Sequence, residues 1–269
     1  MLKIKPRKAL GQNFLIDQSI LKEIISFAEL KKEDVVVEIG AGLGDLTSLL
    51  AHRVKVVIAL ELDRRLIGIL EERFRENENV RVVWEDALKF NYREVSEQYH
   101  TKLKVIGNIP YYLSTALTLK ILKMRSLISL ILFMFQKEVA QRIIAKPGLK
   151  AYGPLSILSQ IYANVSQVME IKRSHFSPQP KVDSALVKFI MYQNPKLAIG
   201  DEELFEKTLY SIFAKRRKTL LNALMTLRGK RKNEMAEICR SAGIDPMRRA
   251  ETLTIEEFGK LYHHTLFVT

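Results

Sequence analysis

Four short stretches hold residue types that could bind a nucleoside and work on an amine. In E-I-G-A-G-L-G-D-L (38–46), Gly40, Gly42 and Gly44 recur at every second position, so the backbone can approach a ligand with no Cβ in the way. K-V-V-I-A-L-E-L-D (55–63) carries Glu61 near its end, where a carboxylate can accept both hydroxyl protons of a ribose. V-R-V-V-W-E-D-A (80–87) ends in Glu85-Asp86-Ala87, where an acid can accept from the exocyclic amine of an adenine. V-I-G-N-I-P-Y-Y-L (105–113) sets Asn108, Ile109, Pro110 and Tyr111 where an apolar run stops.

The last stretch suits a particular reaction. Transfer of a methyl group to an aromatic amine is slow because the nitrogen lone pair is delocalised into the ring. The Asn108 side-chain oxygen and a neighbouring backbone carbonyl can both accept from the amino hydrogens. That favours a pyramidal nitrogen with its lone pair aimed at the methyl. No strong base is required, because the cationic product loses its proton readily. Pro110 stiffens the turn, and Tyr111 offers a face on which a base can stack. A base in RNA reaches such a pocket only when unstacked or flipped out. The glycine turn reads G-x-G-x-G, unlike the G-x-G-x-x-G of dinucleotide sites, whose pyrophosphate sits over a helix N-terminus. S-adenosylmethionine has no phosphate, and a turn with Glu38 beside it suits that cofactor's zwitterionic tail. S-adenosylmethionine is therefore the expected cofactor.

Placing these stretches on one edge takes an alternation of strands and helices. The pattern predicts an amphipathic helix from Ser19 to Ala28, with Ile20, Ile24 and Phe27 on one side. It predicts strands over 35–40, 55–63, 80–87, 102–108 and 127–135, with helices over 46–51, 64–74 and 114–124. That is an α/β fold with a mostly parallel sheet, whose ligands bind outside the strand carboxyl ends near a switch in strand order. After Gln136 the expectation is a helix over 137–144, the loop K-P-G-L-K-A-Y-G-P, and strands around 161–171 and 184–192. Q-N-P-K-L-A-I-G (193–200) reads as a linker, and Asp201 as the N-cap of a run of short helices broken at Gly229, Gly243 and Asp245-Pro246. The expected division is a domain over 1–195 and a helical one over 196–269. Within the second, Lys215-Arg216-Arg217-Lys218 is placed on a helix as a candidate contact to RNA phosphate.

Apolar residues make up 47% of the 269, and Cys239 is the only cysteine. No intramolecular disulfide or cysteine-based metal site can form, which fits a reducing, cytoplasmic setting. M-L-K-I-K-P-R-K at the start is basic but lacks the apolar run of a secretory signal. L-I-S-L-I-L-F-M-F (127–135) is too short to span a bilayer. The five histidines show no metal-ligand spacing, so no metal is expected, and Trp84 reads as a packing residue. The net charge of +13 is uneven: residues 1–101 carry −1, residues 102–195 carry +10 and residues 196–269 carry +4. A polyanion, nucleic acid or a membrane surface, is the partner such a distribution favours. Nothing in the pattern signals oligomerisation, so a monomer is expected.

N-I-P-Y (108–111), the turn E-I-G-A-G-L-G, Glu61, Asp86 and the early G-Q-N-F-L (11–15) together resemble the KsgA-type rRNA adenine N6,N6-dimethyltransferases. The resemblance runs nearly the whole length, through Q-K-E-V-A-Q-R (136–142), H-F-S-P-Q-P-K-V-D-S-A-L-V (175–187) and K-R-R-K-T-L-L-N-A-L (215–224). It implies a Rossmann-like class I methyltransferase sheet with a smaller all-α C-terminal domain. It implies that Asn13 and Leu15 help hold the cofactor, that Gly40 lies against its methionine part, that Glu61 binds its ribose and that Asp86 contacts its adenine. Asn108 would join the cofactor pocket to the target amine, and Tyr111 and Phe176 would sandwich a flipped adenine. The implied reaction places two methyls on each of two adjacent adenines in the 3′-terminal hairpin loop of small-subunit (16S) rRNA, with immature small subunits as partner. The Erm methyltransferases, which act on large-subunit (23S) rRNA, share N-I-P-Y, and Ile109 leans toward them. The stretches K-R-R-K-T-L-L-N-A-L and G-I-D-P-M-R-R-A-E-T-L-T-I-E-E-F lean the other way. A chain that only binds RNA during subunit assembly, its pocket vestigial, is the reading that intact Glu61, Asp86 and Asn108 oppose.

Overall fold

The computed structural model describes residues 5–7, 10–225 and 231–266. The first residues of the basic amino-terminal stretch, Lys8-Ala9 and the break expected at Gly229 lie outside the described residues. In chain order the first elements are β1 (Phe14–Leu15), α1 (Gln18–Phe27), β2 (Val35–Ile39), α2 (Asp45–Ala51), β3 (Val56–Glu61), α3 (Arg64–Arg73) and β4 (Val80–Trp84). Then come α4 (Tyr92–Tyr99), β5 (Leu103–Asn108), α5 (Ser114–Lys123), β6 (Ile128–Gln136), α6 (Lys137–Ile143) and α7 (Pro154–Tyr162). The remainder is β7 (Ala163–Ile171), β8 (Phe176–Ser177), β9 (Ser184–Met191), α8 (Glu202–Ala214), α9 (Leu220–Leu224), α10 (Lys232–Ser241) and α11 (Ile255–Leu266).

Seven strands form one sheet in the order β4-β3-β2-β5-β6-β9-β7. Those from β4 to β6 run parallel, and β9 runs antiparallel to both β6 and β7. V-V-V-E-I of β2 is buried at every position, the continuous run that a parallel strand covered on both faces requires. At the edge, β4 is only partly covered. From β2 the chain moves outward through β3 to β4, then returns to lay β5 on the other side of β2. That reversal opens the crevice in which open α/β sheets hold their ligands. Gly107 lets the two strands meet there: a Cβ on it would lie 2.6 Å from the Ile39 carbonyl oxygen. A second, two-stranded ladder pairs β1 with β8, Phe14 opposite Ser177 and Leu15 opposite Phe176.

Two helices escaped the sequence reading. α4 is mostly polar, with Tyr92, Val95 and Ser96 buried, and Asn91 caps it by accepting from the Glu94 N–H at 3.3 Å. P-L-S-I-L-S-Q-I-Y forms α7 where a loop and the start of a strand were expected; six of its residues are buried, so it shows little polar face, and Pro154 opens it where a missing N–H costs nothing. Lys215-Arg216-Arg217-Lys218, expected on a helix, form the turn after α8. There Lys215 and Arg216 N–H close the helix end on the Ile212 and Phe213 carbonyls at 3.2 Å, and Thr219 starts α9. Trp84, expected as a core or packing residue, is 55% exposed and therefore outside the core; its Nε1 donates to the Leu62 carbonyl at 3.1 Å and Arg64 lies over its ring.

The described residues form two compact units, those up to Ala140 with Ala163–Gln193, and Gln141–Tyr162 with those from Asn194 onward. The first holds the sheet. Its core joins Ile24, Leu50, Val57, Ile106, Leu132, Met134, Phe176 and Leu186. Asp17 caps α1 by accepting from Ser19 N–H at 2.9 Å. The second unit is helical, and Gln141–Tyr162 departs from the expected division at 195 by belonging to it. Tyr152 packs edge-on to Phe213, and Phe205 edge-on to Tyr262, whose hydroxyl donates to the Asp201 carbonyl at 2.8 Å. Asp201 is the N-cap expected, accepting from the Leu204 N–H at 2.9 Å. The α10 helix stops at Gly243, at φ +71°, as expected.

Candidate active site

The glycine turn leaves β2 through three left-handed residues, Gly40 at φ +73°, Gly42 at +60° and Gly44 at +85°. A side chain at these positions would be strained. Gly40 and Ala41 N–H donate to the Leu60 carbonyl at 2.9 and 3.1 Å, which ties the turn to the end of β3. Glu61 follows directly. Its Oε2 accepts from Gly42 N–H, and its Oε1 from Leu62 and Asp63 N–H, all at 2.9 Å. Burial raises the Glu61 pKa, and these backbone donors pull it back. A carboxylate has about four acceptor positions, so three backbone bonds leave room for a ligand hydroxyl.

Glu38, in β2 just before the turn, is 2% exposed and accepts from the Thr47 hydroxyl at 2.6 Å. Burial is the main cause that pushes its pKa up to about 8, with the Glu61 and Asp45 carboxylates adding to it and the Thr47 bond opposing. It is a buried acid held protonated at neutral pH, and a cation brought beside it would ionise it. Asp86 lies in the turn after β4, its Oδ1 accepting from Leu88 N–H at 2.8 Å. Lys120 of α5 holds the same turn by donating to the Leu88 carbonyl.

Asn108 is the last residue of β5. Its Nδ2 donates to the Asn13 carbonyl at 3.0 Å, which points the amide's Oδ1 the other way. Ile109 is buried, its N–H on the Met134 carbonyl at 3.2 Å, so its side chain serves packing. The Pro110 carbonyl accepts from Leu113 N–H at 2.9 Å and the Ser114 hydroxyl at 3.4 Å. Tyr111 is half-buried; burial raises its pKa, against hydrogen bonds with Gln136 and Ser184, which face each other across β6 and β9. Tyr112, next in the turn, is 57% exposed. Burial and then the Asp86 and Glu61 carboxylates raise its pKa, and it lines the same cleft as those two acids. Phe176 is only 4% exposed, packed in the core opposite Leu15.

Asn13, Leu15, Gly40, Glu61, Asp86, Asn108, Ile109, Pro110, Tyr111 and Phe176 all line one cleft, with Glu38, Gln12 and Tyr112. Sequence reasoning had no role for Tyr112 and took Gln12 only as part of G-Q-N-F-L. It read Gly107 as an ordinary strand residue, although a glycine one position before a polar strand end was the available signal. Gly107→Ala is expected to cost about 1–3 kcal/mol of stability by overpacking and to slow transfer more than it weakens cofactor binding, since the backbone that must move carries Asn108. Thermal melts and single-turnover rates check this; an unchanged rate would refute it.

Lys215-Arg216-Arg217-Lys218 belong to the helical unit, whereas the cleft residues belong to the unit that holds the sheet. Lys215, Arg217 and Lys218 are exposed, whereas Arg216 is half-buried and pairs with Glu251. Among the described residues no group of three or more His, Cys, Asp or Glu could hold a metal ion, and no helix is long and apolar enough to cross a membrane.

A mostly parallel seven-stranded sheet of this order, with a glycine turn and acids along its carboxyl edge, is that of a Rossmann-like class I methyltransferase. Residues 3–264 match the family described as ribosomal RNA adenine dimethylase, and the chain belongs to that family. It is 45% identical over 261 residues to the ribosomal RNA small subunit methyltransferase A of a Geobacillus species, covering 95% of this chain and 90% of the other. Its structure is similar to that of a dimethyladenosine transferase from Plasmodium falciparum, with a TM-score of 0.82 and 28% identity over 94% of this chain and 98% of the other. It is also similar to the 23S rRNA methyltransferase ErmE, at a TM-score of 0.71 and 25% identity over 94% of this chain and 99% of that one.

Proposed function

We propose that this protein is an S-adenosylmethionine-dependent enzyme that dimethylates the N6 amines of two adjacent adenines in the 3′-terminal hairpin loop of small-subunit rRNA. The observation that carries the reading is the convergence of the glycine turn, Glu61, Asp86 and Asn108 on one cleft, in a chain whose relatives at 40–45% identity are named small-subunit methyltransferases. The lower identity to ErmE, 25%, ranks large-subunit rRNA second as substrate.

The residues fit the cofactor. A Cβ on Gly40 would lie 3.5 Å from the Asn108 carbonyl oxygen, so a side chain there would fill the place beside the catalytic strand end. Gly40 and Glu38 would take the methionine part, Glu61 the ribose and Asp86 the adenine, with Asn13 and Leu15 closing from the amino-terminal side. S-adenosylmethionine supplies an electrophilic methyl on a sulfonium. Asn108 Oδ1 accepts one amino hydrogen of the target, and the Ile109 carbonyl accepts the other, since that of Pro110 is engaged within its turn. The nitrogen lone pair then projects toward the methyl, and the product cation releases a proton to water. Tyr111 supports one face of the extruded adenine, and Phe176 backs the cleft from the core. The partner is the immature small subunit, in the cytoplasm where it is assembled, and the enzyme acts as a monomer.

The test is direct. Unmethylated small subunits, large subunits and free rRNA are each incubated with methyl-labelled cofactor, and the label is mapped. Label on two adjacent adenines of the small subunit is expected; label confined to large-subunit rRNA overturns the substrate assignment. Lys215, Arg217 and Lys218 are proposed to contact phosphate. Changing all three to Gln should lessen the slope of log affinity against log salt by up to about 3, without altering cofactor affinity. Arg216→Ala should act on stability, through its Glu251 pair.

A further inference from the structure

An asparagine amide has one end that accepts and one that donates, and only the accepting end helps an amine. In Asn108 the donating end is committed to the Asn13 carbonyl at 3.0 Å. That carbonyl belongs to residues 10–17, a strap along the carboxyl edge of the sheet that also lines the cleft through Leu15. The Asn13 side chain turns back on its own loop and donates to the Gly11 carbonyl at 3.0 Å.

The strap is fastened on both sides of Asn13. On one side, Gln12 Nε2 donates to Asp63 Oδ2 at 3.0 Å, and Gln12 Oε1 accepts from Arg7 N–H at 2.7 Å. On the other, β1 pairs with β8, Ile16 N–H donates to the His175 carbonyl at 2.9 Å, and Asp17 meets His175 Nδ1 at 2.7 Å. Asp63 is a firm anchor. Its side chain is fully buried and Arg65 grips it at 3.0 Å through Nε and 2.5 Å through Nη2. Its own N–H is one of the donors that hold Glu61.

We infer that Gln12 is a positioning residue for methyl transfer: by fastening the strap to Asp63 it fixes the Asn13 carbonyl, which turns the Asn108 amide so that Oδ1 faces the target amine. When the strap is released, the amide is free to rotate and its donating end can point at the substrate. This rests on the role of Asn108 given above, and the experiment separates the two.

Transfer to unmethylated small subunits is measured in a single turnover with cofactor saturating. Cofactor binding is followed by the fluorescence of Trp84, the only tryptophan, which is bonded to Leu62 at the cleft rim. Gln12→Ala is expected to lower the rate about tenfold even with cofactor saturating, as loss of one hydrogen bond allows, so that the loss is not one of cofactor occupancy. Gln12→Glu, which sets a second carboxylate against Asp63, should fall at least as far, and Gln12→Lys, whose ammonium can reach Asp63, should recover most of the rate. In an Asn108→Ala background, Gln12→Ala should add nothing, the mark of residues acting as one unit. A change in cofactor affinity with an unchanged saturated rate overturns the inference. So does a full, independent loss in the Asn108→Ala background. Wild-type transfer by Asn108→Ala itself would instead overturn the role of Asn108.

Discussion

Asn108→Ala is expected to bind small subunits nearly as the parent does, and, with cofactor saturating, to transfer methyl groups at least a hundredfold to a thousandfold more slowly. That is the usual loss when one preorganised group aimed at developing charge is removed. The amide stands at the end of a strand clamped on both sides by β2 and β6, so alanine removes the acceptor without moving the backbone. The stability cost is the Asn13 hydrogen bond, about 1 kcal/mol. Equal losses in subunit binding and in transfer would mean that Asn108 only holds the base, and the account of lone-pair alignment would fall.

Glu38→Gln is expected to leave the melting temperature almost unchanged at pH 5 and to raise it clearly at pH 9. Burial lifts this carboxyl from 4.5 to about 8 in the folded chain. Between those values the folded protein holds a proton that the unfolded chain has lost. The stabilisation is therefore complete below pH 4.5 and drains away as pH rises toward 8. Glutamine imitates the protonated form at every pH and still accepts from Thr47. The difference at pH 9 should reach on the order of 3–5 kcal/mol. The same change removes the carboxylate that the cofactor's ammonium would ionise, so cofactor affinity should fall as stability rises, a familiar exchange at binding sites. A melting difference that fails to widen from pH 5 to pH 9 would show that Glu38 is already charged.

How far the sequence could be read depended on how local the cause was. The β2 run, the acid that ends β3 and the acid that follows β4 are set by neighbouring residues, and the glycine turn announces its own conformation. The family resemblance sets Phe176 against the substrate; its burial opposite Leu15 depends on a two-residue ladder between segments far apart in the chain, which no periodicity reports. α4 and α7 were hidden for opposite reasons, one too polar and the other too buried to show a two-sided pattern. The basic run sits in a turn whose Arg216 meets Glu251 and Leu149, partners that the run itself does not reveal. Ile109, the residue of the motif that leans toward the Erm enzymes, is a core side chain, so its identity speaks to packing.

The pairing of β1 with β8 also bears on how the protein is made. Asn13 and Phe176 leave the ribosome on the order of ten to thirty seconds apart at ordinary rates of synthesis. β9, which lies between β6 and β7 in the sheet, follows later still. Throughout that interval the early segment has no partner strand, and the carbonyl that orients Asn108 is not held on the Phe176 side. A growing chain therefore carries every parallel strand end that lines the cleft before the cleft is closed. It becomes an enzyme only once the strands that close the sheet have emerged.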